Sequence, residues 1–338
     1  MIYKNAELYN AEEIIKNDDG SISWLRVPKS VYNAIETEQG KKMAESSTGV
    51  EIRFVIKSGS ALIRMATQTG DGIFHVYRGG IQGGWQDHEV HKFVTTEPAA
   101  YEFSAGDEPE KLRVMTEVSG YNWDSNVIRI IFDRGKYKIF DIEGDIEPPS
   151  EDSTPKKTVL TYGSSITHGS NSIDSSHSWA SVLAHNLNMD LRNLGMAGSC
   201  FLEPEFARYI ASEGEKGKWD IATLELGINV IDWDEDKIVD RVSYMINTVA
   251  GRNPDKKVFV ISPMYYCGDY FDEVKAGDKW RRLVKQETER CGLDNVIYIN
   301  GLDLIGDMSA ISADFVHPNI YGIEQIARRL TEIIKKTI

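Results

Sequence analysis

The spacing of hydrophobic residues divides the chain into two parts with different periods. In the first part, apolar residues occupy alternate positions, as at Val50, Ile52, Phe54 and Ile56, which is the period of a half-buried β-strand. Clusters of Gly, Asp and Pro separate further β-rich runs at Ala61–Met65, Gly72–Tyr77, Lys92–Thr95, Leu112–Met115, Asn126–Phe132 and Tyr137–Ile142. Short strands at this spacing predict an all-β, jelly-roll-like sandwich of antiparallel strands.

In the second part, strand-like runs alternate with helix-like runs. The predicted strands are Thr158–Tyr162, Met189–Leu194, Ile221–Leu226, Lys257–Ile261 and Asn295–Asn300. The predicted helices are Ser178–Asn188, Glu203–Ala211, Asp236–Ala250, Lys279–Cys291 and Pro318–Lys336, the last with Pro318 in its first turn. This alternation predicts an α/β domain with a parallel sheet and helices on both of its faces.

A polar stretch without apolar periodicity lies between the two parts. It runs from Glu143 to Lys157 and is rich in Pro, Ser and charged residues, which is the composition of a linker. A chain of 338 residues also fits two domains better than one. We therefore predict a β-sandwich domain over residues 1–148, a linker over 149–157 and an α/β domain over 158–338.

Composition and charge restrict the partners and cofactors. The chain has 38 Lys and Arg against 52 Asp and Glu, a net charge of −14, and an acidic surface disfavours nucleic acid because it repels phosphates. No apolar run reaches membrane-spanning length, and the first residues lack an apolar signal core. We therefore expect no membrane partner and a cytoplasmic protein, or a secreted one if a leader has been removed.

The cysteines and histidines predict neither disulfides nor a metal site. The three cysteines are far apart, and the sequence has no His-x-His or His-Glu-x-x-His cluster. We expect no cofactor.

Four short motifs carry the candidate chemistry. They are Thr161–Gly169 (TYGSSITHG), Asn193–Gly198 (NLGMAG), Leu226–Asn229 (LGIN) and Asp314–His317 (DFVH). The first three adjoin the ends of predicted strands, and the fourth lies between the last strand and the last helix. Because ligands bind outside the carboxyl ends of the strands in an open parallel sheet, we expect all four motifs to meet at one edge.

The residue types in these motifs are those that acyl transfer requires. Ser165 lies in a tight turn after a strand and is the candidate nucleophile. His317 could accept its proton, since histidine titrates near neutral pH, and Asp314 could orient the imidazole. The N–H groups of Ser165 and Gly198 and the side-chain amide of Asn229 are the candidate donors to an oxyanion.

In this order, the four motifs resemble the blocks of the SGNH, or GDSL-type, hydrolase superfamily. The resemblance covers roughly Thr158 to Ile338 and implies a three-layer, flavodoxin-like fold. The residues onto which the family's roles fall are Ser165, Gly198, Asn229, His317 and, completing a triad, Asp314. One departure is Ser164, where many members have aspartate, and it leaves the hydrogen bonding at this turn open.

The first part of the chain resembles, less specifically, the β-sandwich that precedes the catalytic domain in some bacterial two-domain members, several of which resemble carbohydrate esterases.

Simpler roles remain open for several of these residues. Ser164 is a second candidate nucleophile, and Asn229 could be an ordinary loop residue. Asp314 could cap the helix that begins near Pro318, alone or in addition to its role in a triad. Gly195 fits a strand-to-loop turn better than it fits an oxyanion donor.

Four further residues are candidates for substrate binding. His168 follows the candidate nucleophile and is expected in a loop or at the rim of the site. Trp233 and Tyr265 follow strand ends, where they could line a pocket or close the edge of the sheet by packing. Trp85 ends a Gly-rich loop of the predicted sandwich, which could contact substrate or be only a mobile hairpin tip. We expect the sandwich to shape substrate access rather than chemistry.

Together these features predict a serine esterase. We expect it to remove a small acyl group, acetyl in the first instance, from a hydroxylated small molecule or carbohydrate. One alternative is an acyltransferase that uses the same acyl-enzyme, and another is a non-catalytic glycan-binding protein, against which the intact set of candidate residues speaks. An α/β-hydrolase is disfavoured because Gly163–Thr167 does not match G-x-S-x-G.

Overall fold

The computed structural model describes residues 1–85, 88–273 and 275–338 and divides into two compact units. The first, which we call the β unit, comprises Met1–Lys29, Ala44–Lys156 and Asn188–Asp190. The second, the α/β unit, comprises Ser30–Met43, Lys157–Leu187 and Leu191–Ile338. Residues 30–43, which we predict as part of the sandwich domain, therefore belong to the α/β unit instead.

This early segment is helical. Helix α1 spans Lys29–Ala34 and helix α2 spans Glu38–Ala44. Neither is among the elements predicted from the sequence, because each has only one or two turns and too few apolar residues to show a helical period.

The β unit consists mainly of antiparallel strands. Among the described residues they are β1 (Ile2–Tyr3), β2 (Ala6–Tyr9), β3 (Glu13–Lys16), β4 (Ile22–Leu25), β5 (Glu51–Thr67), β6 (Gly72–Arg78), β7 (Ile81–Gln82), β8 (Lys92–Val94), β9 (Ala99–Ser104), β10 (Val127–Phe132) and β11 (Tyr137–Glu147). Their main order is β3-β4-β11-β5-β10-β6-β7, with β2 and β9 also on β5, β8 on β6, and β1 on β2. The predicted β-sandwich is confirmed, although the unit also contains a helix.

Strand β5 connects the two runs that we predict as separate strands, Val50–Ile56 and Ala61–Met65. It pairs with β2 and β10 near its start and with β9 towards its end. Strand β11 pairs along most of its length and crosses the polar residues between the two runs with shifts in register. Ile52 and Ile63 are both completely buried, so the two parts of the strand contribute to one core.

One predicted strand is a helix. The run Leu112–Met115 lies inside α3 (Pro109–Ser119), which has Pro109 in its first turn, where the missing N–H is tolerated. Arg113 bonds to Glu110 and Glu117, three and four residues away, as side chains on one helical face do. A run of four apolar residues does not distinguish a strand from a turn of helix, and here the flanking charges favour the helix.

The predicted linker over 149–157 is more ordered than its composition indicates. Residues Glu151–Ser153 form a 3-10 turn, and the Asp124 N–H donates to the Ser153 carbonyl at 2.9 Å. Ser153 is buried. The chain up to Lys156 is therefore part of the β unit.

Strands and helices alternate in the second half of the chain, as predicted. The strands are β12 (Thr158–Gly163), β13 (Asp190–Gly195), β14 (Ile221–Glu225), β15 (Lys257–Ile261) and β16 (Val296–Ile299). The helices are α4 (Ser165–His168), α5 (Trp179–Leu187), α6 (Pro204–Glu215), α7 (Glu235–Gly251), α8 (Gly268–Phe271), α9 (Ala276–Arg290) and α10 (Ile320–Thr337).

The five strands follow the order β13-β12-β14-β15-β16, which is the 2-1-3-4-5 order of flavodoxin-like sheets. The pairs β12–β14, β14–β15 and β15–β16 are parallel. Every residue of β14 is buried, as expected for a strand covered on both faces. Helix α5 packs against α10, whereas α7 packs against α6 and α9. The predicted α/β fold is confirmed.

The last helix begins two residues later than predicted. Asn319 is its cap, since the Asn319 side chain accepts hydrogen bonds from the N–H groups of Tyr321 and Gly322, both at 3.1 Å. Pro318 therefore precedes the helix, and Asp314 is not the cap. No helix in the described part of the chain is long and apolar enough to cross a membrane.

Candidate active site

Ser165 lies at the turn between β12 and α4. Strand β12 ends at Gly163, Ser164 has an extended backbone, and Ser165 is the first residue of the short helix. The Ser164 hydroxyl oxygen accepts from the Ile166 N–H at 3.2 Å. Gly169, at φ 97°, ends the helix, and its N–H donates to the Ser165 carbonyl at 3.0 Å. The turn thus places Ser165 at the carboxyl end of a central strand, with 6% of its surface exposed.

His317 and Asp314 form a chain of hydrogen bonds with Ser165. His317 Nε2 lies 2.7 Å from Ser165 Oγ, and His317 Nδ1 lies 2.8 Å from Asp314 Oδ2. Because the ring nitrogen that faces a carboxylate carries the proton, Nε2 is left as an acceptor for the hydroxyl. This is the geometry in which an imidazole can remove the hydroxyl proton.

The Asp314 carboxylate is held by hydrogen bonds besides the one to the imidazole. Oδ1 accepts from the N–H groups of Val316 (3.1 Å) and His317 (2.9 Å) and from the Ser312 hydroxyl (2.8 Å). Oδ2 also accepts from Asn171 at 2.8 Å. Burial by itself raises the pKa of Asp314, but the hydrogen bonds, the His317 N–H first among them, outweigh burial and hold the pKa well below its usual value. The carboxylate therefore stays ionised at neutral pH.

Gly198 and Asn229 lie on two loops that are bonded to each other. Asn229 Oδ1 accepts from the Cys200 N–H at 3.0 Å, so Nδ2 is the donating end of this amide. Gly198 has φ 67°, in the left-handed region that favours glycine. Among the described residues away from its chain neighbours, a Cβ at this position would meet Gln39 Cγ alone within 4 Å, at an ordinary contact distance of 3.8 Å. Glycine is therefore required here by the backbone conformation and not by a lack of space.

Gly195 has a different role. A Cβ at this position would lie 2.3 Å from the His168 nitrogen and 2.5 Å from its Cα. The Gly195 N–H donates to Asn193 Oδ1 at 2.8 Å, and Asn193 Nδ2 donates to the Thr167 carbonyl at 3.0 Å. Gly195 therefore allows β13 to approach α4 closely, and its N–H is already occupied.

An acid not predicted from the sequence lies beneath the nucleophile turn. Glu225, the last residue of β14, is completely buried. Its Oε2 accepts from the Ser164 N–H and hydroxyl, both at 2.7 Å, and from the Thr167 hydroxyl at 3.0 Å. A Cβ on Gly163 would lie 2.5 Å from this oxygen, so glycine makes the approach possible. Burial raises the pKa of Glu225 to about 7, against the lowering effect of the hydrogen bonds from Ser164 and Thr167.

The segment 30–43 flanks the loop that carries Gly198. Gln39 Nε2 donates to the Ala197 carbonyl at 3.4 Å, and Thr37 Oγ1 lies 3.4 Å from Ser199 Oγ. The sequence gives no signal for this position, because the contact joins residues far apart in the chain.

The four candidate substrate-binding residues have different environments. His168 is 4% exposed, so it packs inside the unit and is not at the rim as expected. Trp233 is half-buried, and the Lys237 ammonium covers its ring at 3.7 Å from the centroid. Tyr265 is half-buried in the loop after β15. Trp85 belongs to the β unit, lies in the turn after β7 and is 77% exposed.

Fold and site together define the class of protein, a serine esterase or acylhydrolase. The model of the GDSL-like lipase/acylhydrolase family matches residues 156–335, more than half of the chain. The chain therefore belongs to that family, which confirms the resemblance of its motifs. A search of curated protein sequences finds no match.

Solved structures share the fold over nearly the whole chain. A salicylyl-acyltransferase, SsfX3, from a tetracycline biosynthetic pathway is 18% identical with a TM-score of 0.78, over 99% of this chain and 95% of that one. A putative GDSL-like lipase from Bacteroides ovatus is 15% identical with a TM-score of 0.67, over 98% and 97% of the two chains. A family two carbohydrate esterase from Clostridium thermocellum, in complex with cellohexaose, is 17% identical with a TM-score of 0.62, over 98% and 99%. At these identities the likeness concerns the fold.

Proposed function

We propose that the protein cleaves carboxylic esters through an acyl-enzyme on Ser165, with His317 as the base and Asp314 as the residue that orients it. The observation that carries this proposal is the chain of contacts from Ser165 Oγ to His317 Nε2 at 2.7 Å and from Nδ1 to Asp314 Oδ2 at 2.8 Å.

In the first half-reaction, Ser165 Oγ bonds to the ester carbonyl carbon while its proton passes to His317 Nε2. The carbonyl oxygen becomes an oxyanion, for which the N–H groups of Ser165 and Gly198 and the Asn229 Nδ2 are the proposed donors. The ionised Asp314 stabilises the imidazolium. The carbon–oxygen bond to the leaving alcohol then breaks, and the alcohol takes the proton from Nε2.

In the second half-reaction, a water molecule attacks the acyl-enzyme. His317 removes a proton from the water and later returns it to Ser165 Oγ as the acid leaves. An alcohol in place of water gives acyl transfer by the same steps. The difference between an esterase and a transferase therefore depends on which acceptor reaches the acyl-enzyme.

We propose a short acyl group, acetyl in the first instance, on a hydroxylated acceptor such as a sugar. The sugar is supported by the fold shared with the carbohydrate esterase. Acyl transfer is the second candidate, and the fold shared with the acyltransferase favours it.

Covalent labelling tests the nucleophile. A fluorophosphonate should modify Ser165, and Ser165→Ala should abolish the label while the thermal unfolding curve is kept. Trypsin cuts after Lys157 and Arg192 and yields one peptide that contains both Ser164 and Ser165, so fragment ions must assign the site. A label on Ser164 or outside this peptide would refute the proposal, and so would a wild-type protein that does not react.

A substrate panel tests the finer proposal. The rates on p-nitrophenyl esters from acetyl to decanoyl should fall with chain length, and acetylated sugars should release acetate. Added alcohol distinguishes the two reactions, since a transferase forms the new ester at the expense of free acid. A maximum at decanoyl would contradict the acetyl preference but not the acyl-enzyme.

A further inference from the structure

One oxygen of Glu225 accepts three hydrogen bonds from the two residues that surround the nucleophile. Oε2 accepts from the Ser164 N–H and hydroxyl at 2.7 Å and from the Thr167 hydroxyl at 3.0 Å. Ser164 immediately precedes Ser165, and Thr167 lies in the same helical turn. The acid thus holds the helix from both sides of the nucleophile.

The hydroxyl of Ser164 transmits this constraint to the backbone. It donates its proton to Glu225 and accepts from the Ile166 N–H at 3.2 Å. A hydroxyl has a single proton, so the bond to Glu225 directs the oxygen lone pairs towards Ile166. The acid therefore fixes the Gly163–Ser164 peptide unit directly and the Ser165–Ile166 peptide unit through the Ser164 hydroxyl.

Among the described residues, the hydrogen bonds given for the Glu225 side chain all go to this turn. Within the described residues, the second oxygen, Oε1, is buried and has no hydrogen-bond partner. A buried carboxyl group is costly unless it is bonded, and here the bonds go to the nucleophile turn. Gly163 keeps the space open, since a Cβ there would lie 2.5 Å from Oε2 and 2.3 Å from Thr167 Oγ1.

We infer that Glu225 is a positioning residue, which holds Ser165 Oγ at His317 Nε2 by fixing Ser164 and Thr167. The inference rests on the proposed function, because it needs Ser165 to be the nucleophile. A displacement of about 1 Å in a reacting group can cost about 10²-fold in rate. Loss of the acceptor should therefore slow attack by Ser165 without weakening substrate binding.

Two substitutions separate the position of the acceptor from its charge. Glu225→Gln keeps the length of the side chain and an oxygen acceptor but removes the charge. Glu225→Asp keeps the charge but is one methylene shorter. The control is Thr223→Val, two residues earlier on the same face of β14. Thr223 is also completely buried, and its hydroxyl has no hydrogen-bond partner among the described residues. Each variant is measured for kcat and KM on p-nitrophenyl acetate, for the second-order rate of fluorophosphonate labelling and for thermal unfolding.

We expect Glu225→Asp to lower kcat and the labelling rate together by about 10- to 100-fold, with KM changed by less than about 2-fold. Glu225→Gln should stay within about 3-fold of wild type, and Thr223→Val should be unchanged. An Asp variant that labels at the wild-type rate would overturn the inference, and so would a Gln variant as slow as the Asp variant. Failure of the wild type to label Ser165 would instead refute the proposed function.

Substitutions at Thr167 answer the same question if Glu225→Asp does not fold. Thr167→Val removes one donor to Oε2 and keeps the side-chain volume, whereas Thr167→Ser keeps the donor. We expect Thr167→Val to lower kcat and the labelling rate by about 3- to 10-fold, the cost of a net hydrogen bond, and Thr167→Ser to restore both. Equal rates in the two variants would contradict the inference.

Discussion

His317 Nε2 lies 2.7 Å from Ser165 Oγ, although the two residues are 152 positions apart in the chain. The contact exists because Ser165 follows the strand β12 and His317 lies in the turn before α10. A hydroxyl donor and a ring acceptor at this distance are already positioned for proton transfer. Chemistry at Ser165 should therefore depend on both residues, and on the carboxylate behind the imidazole.

Loss of the base should cost more than loss of its orienting carboxylate. We expect His317→Ala to lower kcat about 10⁶-fold and Asp314→Asn about 10⁴-fold, because the second change leaves the imidazole in place. The wild-type rate should rise with pH as the base loses its proton and then level off. An active His317→Ala protein with an unchanged pH–rate profile would exclude His317 as the base.

Asn229 should act on the transition state. We expect Asn229→Ala to lower kcat by about 10²- to 10³-fold with little change in KM, because the donor matters most when the oxyanion forms. Initial rates over a range of p-nitrophenyl acetate concentrations measure both constants. A change in KM alone would assign Asn229 to substrate binding instead.

The two glycines of the second motif should respond differently to alanine. Gly198→Ala puts a side chain at φ 67° with no close neighbour and should cost about 1 to 2 kcal/mol from backbone strain. Gly195→Ala puts a Cβ 2.3 Å from the His168 nitrogen and should cost about 3 kcal/mol or more, because backbone must move. Urea unfolding of the two variants measures both costs. Equal destabilisation would show that the approach of β13 to α4 is not tight.

Ionisation of Glu225 should weaken the fold as the pH rises. Its pKa is raised from 4.5 to about 7 in the folded protein, so the fold favours the neutral form. The corresponding stabilisation is complete below pH 4.5 and is lost as the pH passes about 7. Glu225→Gln cannot ionise at this position. Its Tm should therefore fall less than the wild-type Tm between about pH 5 and 8, the range in which the raised pKa of Glu225 acts. Parallel Tm curves would show that Glu225 does not titrate in this range.

Trp85 tests the idea that the β unit shapes substrate access. Deletion of residues 1–150 is unsuitable, because it would also remove Ser30–Met43 from the α/β unit. We expect Trp85→Ala to keep the rate on p-nitrophenyl acetate and to lower turnover of acetylated oligosaccharides. The control is Phe93→Ala, another exposed aromatic residue of the β unit. Equal loss on both substrates, or an equal effect of the control, would refute the idea.

The sequence predicts the α/β unit and the positions of its motifs well because both depend on local pattern. Each strand is a short apolar run and each of the longer helices has a 3.6-residue period. A parallel sheet then brings the ends of its strands to one edge. That is why Ser165, His317 and Asp314 could be expected to meet at one edge, as the structure places them; their catalytic roles stay a prediction. The error at Leu112–Met115 has the same origin, since a run of four residues is too short to show a period.

Glu225 and helix α2 could not be predicted in this way. The sequence does show an acid within the apolar run Ile221–Leu226. Its hydrogen-bond partners, however, depend on the register of β14 with β12, where Leu224 pairs with Tyr162, and the sequence does not show that register. The position of α2 depends on contacts between residues far apart in the chain. His168 was misplaced because the pattern of a four-residue helix does not indicate which side is buried.

Helix α2 also affects the order in which the protein can be completed during synthesis. Gln39 leaves the ribosome long before Ala197, its partner 158 positions later. At about 5 to 20 residues per second, the interval is roughly 10 to 30 seconds. Throughout that time the face of α2 that will meet the loop of Gly198 has nothing to pack against. The nascent helix is therefore open to proteases and to other unfinished chains for nearly half of the time that translation takes.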